Sequence, residues 1–455
     1  MNLQSNDAPS LGGVETLQYS KKGLITLFSW LLWGDFAFVF FETVFGKFLP
    51  LFLRELHVSN FMIGILSGST VGLVNVFCLP PISRWSDLFR SRWGRRIPFL
   101  FWSTPLTALT VILVGYAPET GSWVYQHAVA PYFPKVTQEH VIVTQLVIWV
   151  FAFNFFNMIL VNAFNWLVCD VVPQFIMARF LSWFRVVGTL SSCVFMWCVF
   201  PYILTYRKEV CIGVGIFYTI AFWLMCSKVK EGSYPPPPPK NEQPGFFKSF
   251  GIYFQECLRE PIHRYFFLAY TLVVAAISSS GPFILLFSKE TLGLEMSDLG
   301  KVFAYAAILS ALLYFVVGWI CDKTSPILVA IGGVVCFALI SIGAYFFVHG
   351  KIGWIVYSLV STFPGIAWGI GYVTTGMRIF PREKYGQFSA GLNVFGCGFL
   401  IVFNFLSGKL MDWSGSDYRV IFLWCFSLFS LSALCLWKVH QVKHINLIDL
   451  KKSLP

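Results

Sequence analysis

The hydrophobic positions of this chain are grouped into long runs that short polar stretches separate. A helix needs roughly 20 mostly apolar residues to cross a bilayer, and the lipid offers the backbone no hydrogen-bond partners, so each run is predicted to be a membrane-spanning helix. The runs cover residues 24–53, 60–82, 97–117, 141–168, 176–203, 210–227, 265–288, 298–320, 326–348, 353–377, 388–411 and 419–438. The pattern therefore predicts an all-α integral membrane protein with twelve transmembrane helices.

Composition agrees with a bilayer as the solvent. The chain has 455 residues, of which 56% are hydrophobic and 12% charged, and its mean hydropathy is +0.68. These values are too apolar for a water-soluble protein of this size. The net charge of +11 comes from Lys and Arg residues between the hydrophobic runs, so we expect a surrounding lipid bilayer and no nucleic-acid partner.

The positive charges also predict an orientation. Most Lys and Arg residues fall in alternate loops, which the positive-inside rule places in the cytoplasm. The first twenty residues lack the layout of a cleavable signal peptide, so the first run is expected to be retained. We therefore expect a multi-pass protein of the bacterial inner membrane with both termini in the cytoplasm.

A proline-rich stretch divides the chain into two halves. Pro235 to Pro239 form a stiff, solvated segment that cannot span a membrane. It is interpreted as a spacer, although such a stretch can also bind a recognition domain. The predicted organisation is a cytoplasmic tail (1–23), a six-helix half (24–227), a linker (228–264), a second six-helix half (265–438) and a cytoplasmic tail (439–455).

The two halves carry a faint repeat. The loop after the second run contains Asp87, Arg90, Arg92, Gly94, Arg95 and Arg96, and the loop after the eighth run contains Gly318, Asp322 and Lys323. Two parallel six-helix halves make up the major facilitator fold, so we expect two pseudo-symmetric six-helix bundles. The first loop resembles the signature loop of that superfamily. An acid beside arginines at a helix end can form a latch that opens when the halves rock, whereas the simpler interpretation is that these charges only set topology.

Two acids lie inside the first run. Asp35 and Glu42 are seven residues apart, so both point the same way with about 10 Å between them along a helix. Ionisable groups at membrane depth are usually functional, which suggests proton coupling or hydrogen bonding to substrate. The alternative is that Glu42 sits near the outer end in water.

Three further residues are candidates for substrate binding. Arg185 in the fifth run can pair with Asp35 or with substrate, unless it extends to the membrane surface. Asn162 in the fourth run is one of several amides there that can bind substrate or join helices. Trp166 can stack on the apolar face of a sugar ring.

No motif of a metal site or hydrolase is found. The seven histidines fall in loops or near run ends, and neither HExxH nor GxSxG occurs. We expect no enzyme activity, no cofactor and no bound metal.

The stretch SRWSDLFRSRWGRRIPFLF, together with WGDFAF in the first run, resembles the glycoside-pentoside-hexuronide:cation symporters of the major facilitator superfamily. The similarity is best from Trp30 to Thr189. It implies that Asp35, Trp166 and Arg185 contact a sugar. The sodium-binding carboxylates of that family match Asn75, Leu79 and Asn162 here, so the resemblance does not extend to its sodium site.

The sequence thus predicts a secondary transporter that moves a sugar or glycoside by alternating access, coupled to protons in preference to sodium, and working as a monomer. A carrier of a nucleoside, peptide or organic anion, a uniporter and a transporter-like solute sensor remain open as alternatives.

Overall fold

The computed structural model describes residues 13–14, 17–133, 135–173, 176–232, 258–380 and 385–452. The Pro235–Pro239 segment of the predicted linker lies outside these residues. Ahead of the first helix, two short strands, β1 (Gly13–Val14) and β2 (Leu17–Gln18), pair antiparallel. The hydroxyl of Tyr19 then donates a hydrogen bond to the carbonyl of Val171, 3.1 Å away.

The described residues include twelve helices that are long and apolar enough to cross a membrane. In chain order they are α1 (Lys21–Glu55), α2 (Asn60–Leu88), α3 (Ile97–Gly115), α4 (Gln138–Val171), α5 (Met177–Cys198), α6 (Arg207–Lys228), α7 (Pro261–Thr291), α8 (Met296–Lys323), α9 (Pro326–Phe347), α10 (Lys351–Ile379), α11 (Tyr385–Trp413) and α12 (Val420–Lys452). The predicted all-α fold with twelve spans is confirmed.

Irregular backbone occurs at three points along these helices. Pro282 does not break α7, because the helix runs without interruption from Pro261 to Leu286. Its last turn, Phe287–Thr291, is instead a π-helix, as is Ile65–Ser69 within α2. Helix α10 is interrupted at Ser361. A proline inside a membrane helix is tolerated where neighbouring groups satisfy the freed carbonyls, so it need not mark a break.

The chain divides into two compact units, and Met1–Gly46 with Phe77–Pro238 forms the first. Aromatic rings fill its core. Phe41 stacks on Tyr218 with 4.0 Å between ring centres, and Phe45 stacks on Phe153 at 3.6 Å. Helices α1 and α5 are also joined by a hydrogen bond from the Ser191 hydroxyl to the backbone carbonyl of Phe36, at 2.6 Å.

The second unit combines Lys47–Val76 with the chain from Pro239 to Pro455. Its core lies among α7, α9, α10, α11 and α12, where Phe266, Phe267, Val334, Trp368 and Leu436 are buried. The end of α1 and the first part of α2 therefore pack with helices from the second half of the sequence.

Glycines bring α2 and α11 into backbone contact within this unit. A Cβ at Gly64 would lie 2.5 Å from the carbonyl oxygen of Asn404, and one at Gly68 would lie 2.1 Å from the Asn404 side chain. A Cβ at Gly72 would lie 2.7 Å from the carbonyl oxygen of Cys397. Glycines four residues apart commonly line such close helix contacts in membranes, because dispersion rather than water release holds these helices together.

Polar contacts reinforce the same packing at the start of α2. The Asp412 carboxylate accepts hydrogen bonds from the backbone N–H groups of Asn60 and Phe61, at 3.0 and 2.9 Å. It thereby satisfies two donors that an unpaired helix N-terminus would leave exposed. Arg54 forms a bidentate pair with Glu290 at 2.7 and 2.9 Å. That pair joins α1 to α7. We call the Asp412 hydrogen bonds, together with the glycine packing, the α2–α11 contact.

Substitution of Gly68 by leucine tests the α2–α11 contact. The added side chain would overlap Asn404, so we expect Gly68→Leu to lower the free energy of unfolding by about 2 kcal/mol or more. The measurement is the thermal unfolding midpoint of the purified protein in detergent.

Gly398→Leu on α11 is the matched control, since a Cβ there would meet no atom within 4 Å. Equal losses in the two variants, or none at Gly68, would contradict this packing.

Candidate functional site

The first candidate residue, Asp35, lies on α1 and is completely buried. Neither of its carboxylate oxygens has a hydrogen-bond partner among the described residues. Burying an unpaired charge in apolar surroundings is costly, and native proteins keep such an arrangement at few positions. The site therefore has an unused hydrogen-bonding group within the first unit.

Helix α5 passes directly beside this carboxylate. A Cβ at Gly188 would lie 3.4 Å from the Asp35 Oδ2 atom, so the glycine allows a close approach. Arg185, on the same helix, interacts electrostatically with Asp35 without forming a direct ion pair, and it is exposed. The structure thus brings two predicted site residues into one region, where their charged groups interact without a direct ion pair.

Glu42 has a different environment from Asp35. Its Oε1 atom accepts a hydrogen bond of 2.6 Å from the side-chain amide of Asn157 on α4. Asn162 directs its amide to the carbonyl of Met158 on its own helix, at 2.8 Å. Of the two candidate acids in α1, Asp35 is therefore the one whose carboxylate is left without a partner in the described chain.

The loop between α2 and α3 forms a compact set of ion pairs with α4. Arg95 makes a bidentate pair with Asp170, at 2.8 and 3.1 Å. Arg96, which is 5% exposed, contacts Asp170 at 3.2 Å and Asp87 at 2.5 Å. We call Asp87, Arg95, Arg96 and Asp170 the charge cluster. It lies at the Asp87 end of α2, opposite the end where the α2–α11 contact begins.

A carboxylate from the segment after α6 completes this region. Glu231 accepts hydrogen bonds from the backbone N–H groups of Arg95, Arg96 and Ile97, at 2.9, 2.8 and 2.7 Å. These groups open α3, so the negative charge also sits favourably against the helix dipole. Gly94 has a φ of +107°, and a Cβ there would lie 2.4 Å from the Glu231 side chain. Only glycine fits this turn without displacing the carboxylate.

Three further predicted residues, Trp166, Arg90 and Arg92, have different partners. The Arg96 guanidinium lies over the Trp166 ring, 4.8 Å from its centre, so this tryptophan packs against the charge cluster. Arg90 donates hydrogen bonds to the backbone carbonyls of Asp87 and Phe89. Arg92 lies over Trp93 at 5.4 Å and is exposed.

The corresponding loop of the second half is simpler. Asp322 and Lys323 are both exposed, and no ion pair involves either within the described ranges. The Lys323 ammonium lies 4.1 Å from the centre of the Trp319 ring. The structure therefore shows a network of ion pairs at the first loop, and a cation beside an aromatic ring at the second.

Three polar residues with clear structural roles were not among the sequence candidates. Asp170 holds both arginines of the charge cluster, and Glu231 caps α3. Lys47, in the α1 portion of the second unit, places its ammonium 4.6 Å from the centre of the Phe303 ring. A lysine within an apolar run is itself a signal of function, whereas Glu231 carried no signal because its partners are backbone groups.

The profile of the Major Facilitator Superfamily matches residues 31–401. The chain belongs to the Major Facilitator Superfamily. It is a multi-pass membrane transporter of the alternating-access type, a class whose members are not enzymes. No curated protein matches the sequence significantly.

Solved structures support the same fold. A bacterial homologue of the human lysosomal transporter Spinster, inward-facing and unoccupied, aligns with a TM-score of 0.63 at 12% identity, covering 92% of this chain and 99% of that one. The nucleoside transporter NupG gives 0.66 at 12% identity, with 91% and 99% covered. A bacterial homologue of the iron transporter ferroportin, inward-facing, gives 0.66 at 14% identity, with 91% and 99% covered. Their substrates differ, and the likeness concerns the fold alone.

Removing the charge of Asp170 tests the charge cluster. In Asp170→Asn, two largely buried arginines lose their shared carboxylate, so we expect the free energy of unfolding to fall by about 3 kcal/mol. The measurement is thermal unfolding in detergent.

Asp322→Asn removes the same charge from an exposed position and is expected to change the midpoint little. A midpoint for Asp170→Asn that matches the control would show that the cluster contributes nothing to stability.

Proposed function

We propose that this transporter is a proton-coupled symporter that carries a small uncharged solute, a sugar or glycoside, with Asp35 as the proton carrier. The observation that supports this proposal is the complete burial of Asp35 without a hydrogen-bond partner in the described chain. A carboxylate in such a place is stabilised by binding a proton or by accepting hydrogen bonds from a ligand. A solute with several hydroxyl groups meets the second requirement.

Arg185 supplies the complementary donors. Its guanidinium has five N–H groups and lies on α5, the helix that approaches Asp35 at Gly188. We propose that hydroxyl groups of the solute bridge the guanidinium and the carboxylate, which do not touch directly. Proton binding to Asp35 would turn one of its oxygens from an acceptor into a donor, so occupancy by proton and by solute become linked.

Asn75 and Asn162 favour a proton over sodium as the coupling ion. Each donates its amide to a carbonyl of its own helix, Asn75 to Val71 and Asn162 to Met158, both at 2.8 Å. An amide carries no charge that could offset a bound sodium ion, and carboxylates are the usual anionic ligands of hard cations. Sodium is therefore not proposed as the coupling ion.

Alternating access requires contacts that break in turn. Helix α2 takes part in the charge cluster at its Asp87 end and in the α2–α11 contact at its Asn60 end. We propose that the charge cluster holds the Asp87 end of α2 in one state of the transporter. The α2–α11 contact would hold the Asn60 end of α2 in the other state. We also propose a bacterial inner-membrane location, cytoplasmic termini and a monomeric state.

Counterflow in proteoliposomes tests the substrate class. Vesicles preloaded with one sugar are expected to accumulate the same labelled sugar, whereas preloaded nucleosides, dipeptides or organic anions are expected to give no counterflow. Solute binding without any crossing would instead identify a sensor, and counterflow of an anion alone would assign Arg185 as a charge anchor.

Replacing Asp35 tests proton coupling. We expect Asp35→Asn to reduce uphill, pH-driven sugar accumulation at least about tenfold, because asparagine cannot carry the proton, while counterflow stays within about threefold of wild type. The measurement is labelled-sugar uptake into vesicles, with external pH recorded in weak buffer.

Glu42→Gln is the matched comparison, since glutamine can still accept the hydrogen bond from Asn157. This variant is expected to retain pH-driven accumulation. Unchanged accumulation in Asp35→Asn, or an equal loss in Glu42→Gln, would remove Asp35 from its assigned role.

A further inference from the structure

A pocket that Asp35 does not line lies in the first unit. It has a volume of about 870 Å³ and is bounded by the loop between α2 and α3, the start of α3, and the end of α6 with the residues that follow. Its lining includes three basic side chains, Arg90, Arg92 and Lys230. It also includes three aromatic side chains, Trp93, Phe101 and Trp223, which we call the aromatic wall.

The charge facing this pocket is positive. Arg92 and Lys230 are exposed, and neither forms an ion pair with any carboxylate of the described chain. Among the described residues that line the pocket, the acid is Glu231, whose two oxygens already accept three backbone hydrogen bonds from the start of α3. An anion that entered would therefore meet two available cations, while the acid there is engaged by the protein itself.

The aromatic wall has the arrangement expected at the boundary between lipid tails and water. Trp223 stacks on Phe101, with 5.1 Å between ring centres and 15° between planes. Its indole N–H donates to the Phe101 carbonyl at 3.1 Å, and Trp93 meets Phe101 at 5.5 Å. Trp223 lies close to the end of α6 and is 41% exposed. Tryptophan is enriched at this depth because its ring is apolar and its N–H polar.

We propose that this pocket binds the phosphate headgroup of an anionic phospholipid from the surrounding leaflet. Basic pockets between membrane helices suit such headgroups. The cations would pair with the phosphate, and the aromatic rings would pack against the glycerol and the first acyl carbons. A soluble phosphate ester would pair with the cations. It would gain little binding energy from a tryptophan exposed at the boundary between lipid tails and water. The inference does not depend on which solute is transported.

Native mass spectrometry of the full chain in detergent tests this proposal. Phosphatidylglycerol and phosphatidylcholine with identical acyl chains are titrated separately. Wild-type protein is expected to retain one phosphatidylglycerol at concentrations about tenfold below those needed for phosphatidylcholine. The double variant Arg92→Gln/Lys230→Gln is expected to bind phosphatidylglycerol about thirtyfold more weakly, because each basic residue contributes a factor of about five.

Lys21→Gln/Lys22→Gln is the matched control, because it removes the same charge from exposed positions at the start of α1, outside the pocket. It should leave phosphatidylglycerol affinity within about twofold of wild type. Equal weakening in both double variants would indicate diffuse surface attraction and overturn the proposal, as would equal affinity of the wild type for the two lipids.

Two further arms separate lipid from free phosphate and guard against misfolding. Millimolar inorganic phosphate should not displace the lipid; complete displacement would assign the pocket to a soluble anion. Trp223→Leu keeps both cations and should still weaken phosphatidylglycerol binding severalfold. If the charge variant does not elute as a single species, Trp223→Leu replaces it as the test of the proposal. Unchanged phosphatidylglycerol binding in Trp223→Leu would overturn the lipid assignment.

Discussion

The constraint on which this structure depends is that a membrane interior supplies no hydrogen bonds, so polar groups must find partners inside the protein. Most do so locally. Asn75 and Asn162 use carbonyls of their own helices, and Glu42 uses Asn157 on the neighbouring helix. Asp35 is buried without such a partner. We propose this unpartnered carboxylate as the place where a proton or a solute is bound.

Helix α2 meets two kinds of chemistry at its two ends. At Asp87 it is tied by charge, through arginines that sit largely out of water. At Asn60 it is tied by a capping carboxylate and by glycines that let backbones touch. Ion pairs depend on the water and lipid headgroups around them, whereas close backbone packing depends on shape. The Asp87 end therefore responds to changes in water and lipid headgroups, and the Asn60 end to changes in shape. Such independent control suits a helix in a protein that alternates between two states.

The sequence predicted the twelve helices because runs of apolar residues are a strong signal, and it predicted the Asp87 loop because its motif is distinctive. It predicted Asp35 because a charge within an apolar run is unusual. Asp170 and Glu231 were not chosen, since their roles depend on contacts with distant parts of the chain. The sequence does not show that α7 continues through Pro282, because groups that are near in space decide whether a membrane helix tolerates a proline. Trp166 was assigned to sugar binding by resemblance, whereas the structure places it against Arg96.

The turn at Gly94 restricts which amino-acid substitutions this position can accept. Its backbone has φ of +107°, and any side chain would begin 2.4 Å from an atom of Glu231. Every nucleotide change that alters the amino acid at this codon adds a Cβ, so each would strain the turn and push away the carboxylate that caps α3. A single-base change in a neighbouring arginine codon can give another polar residue, with a smaller loss of stability. Position 94 has no such intermediate, so variation in this loop is limited by the backbone of the turn before it is limited by the charges.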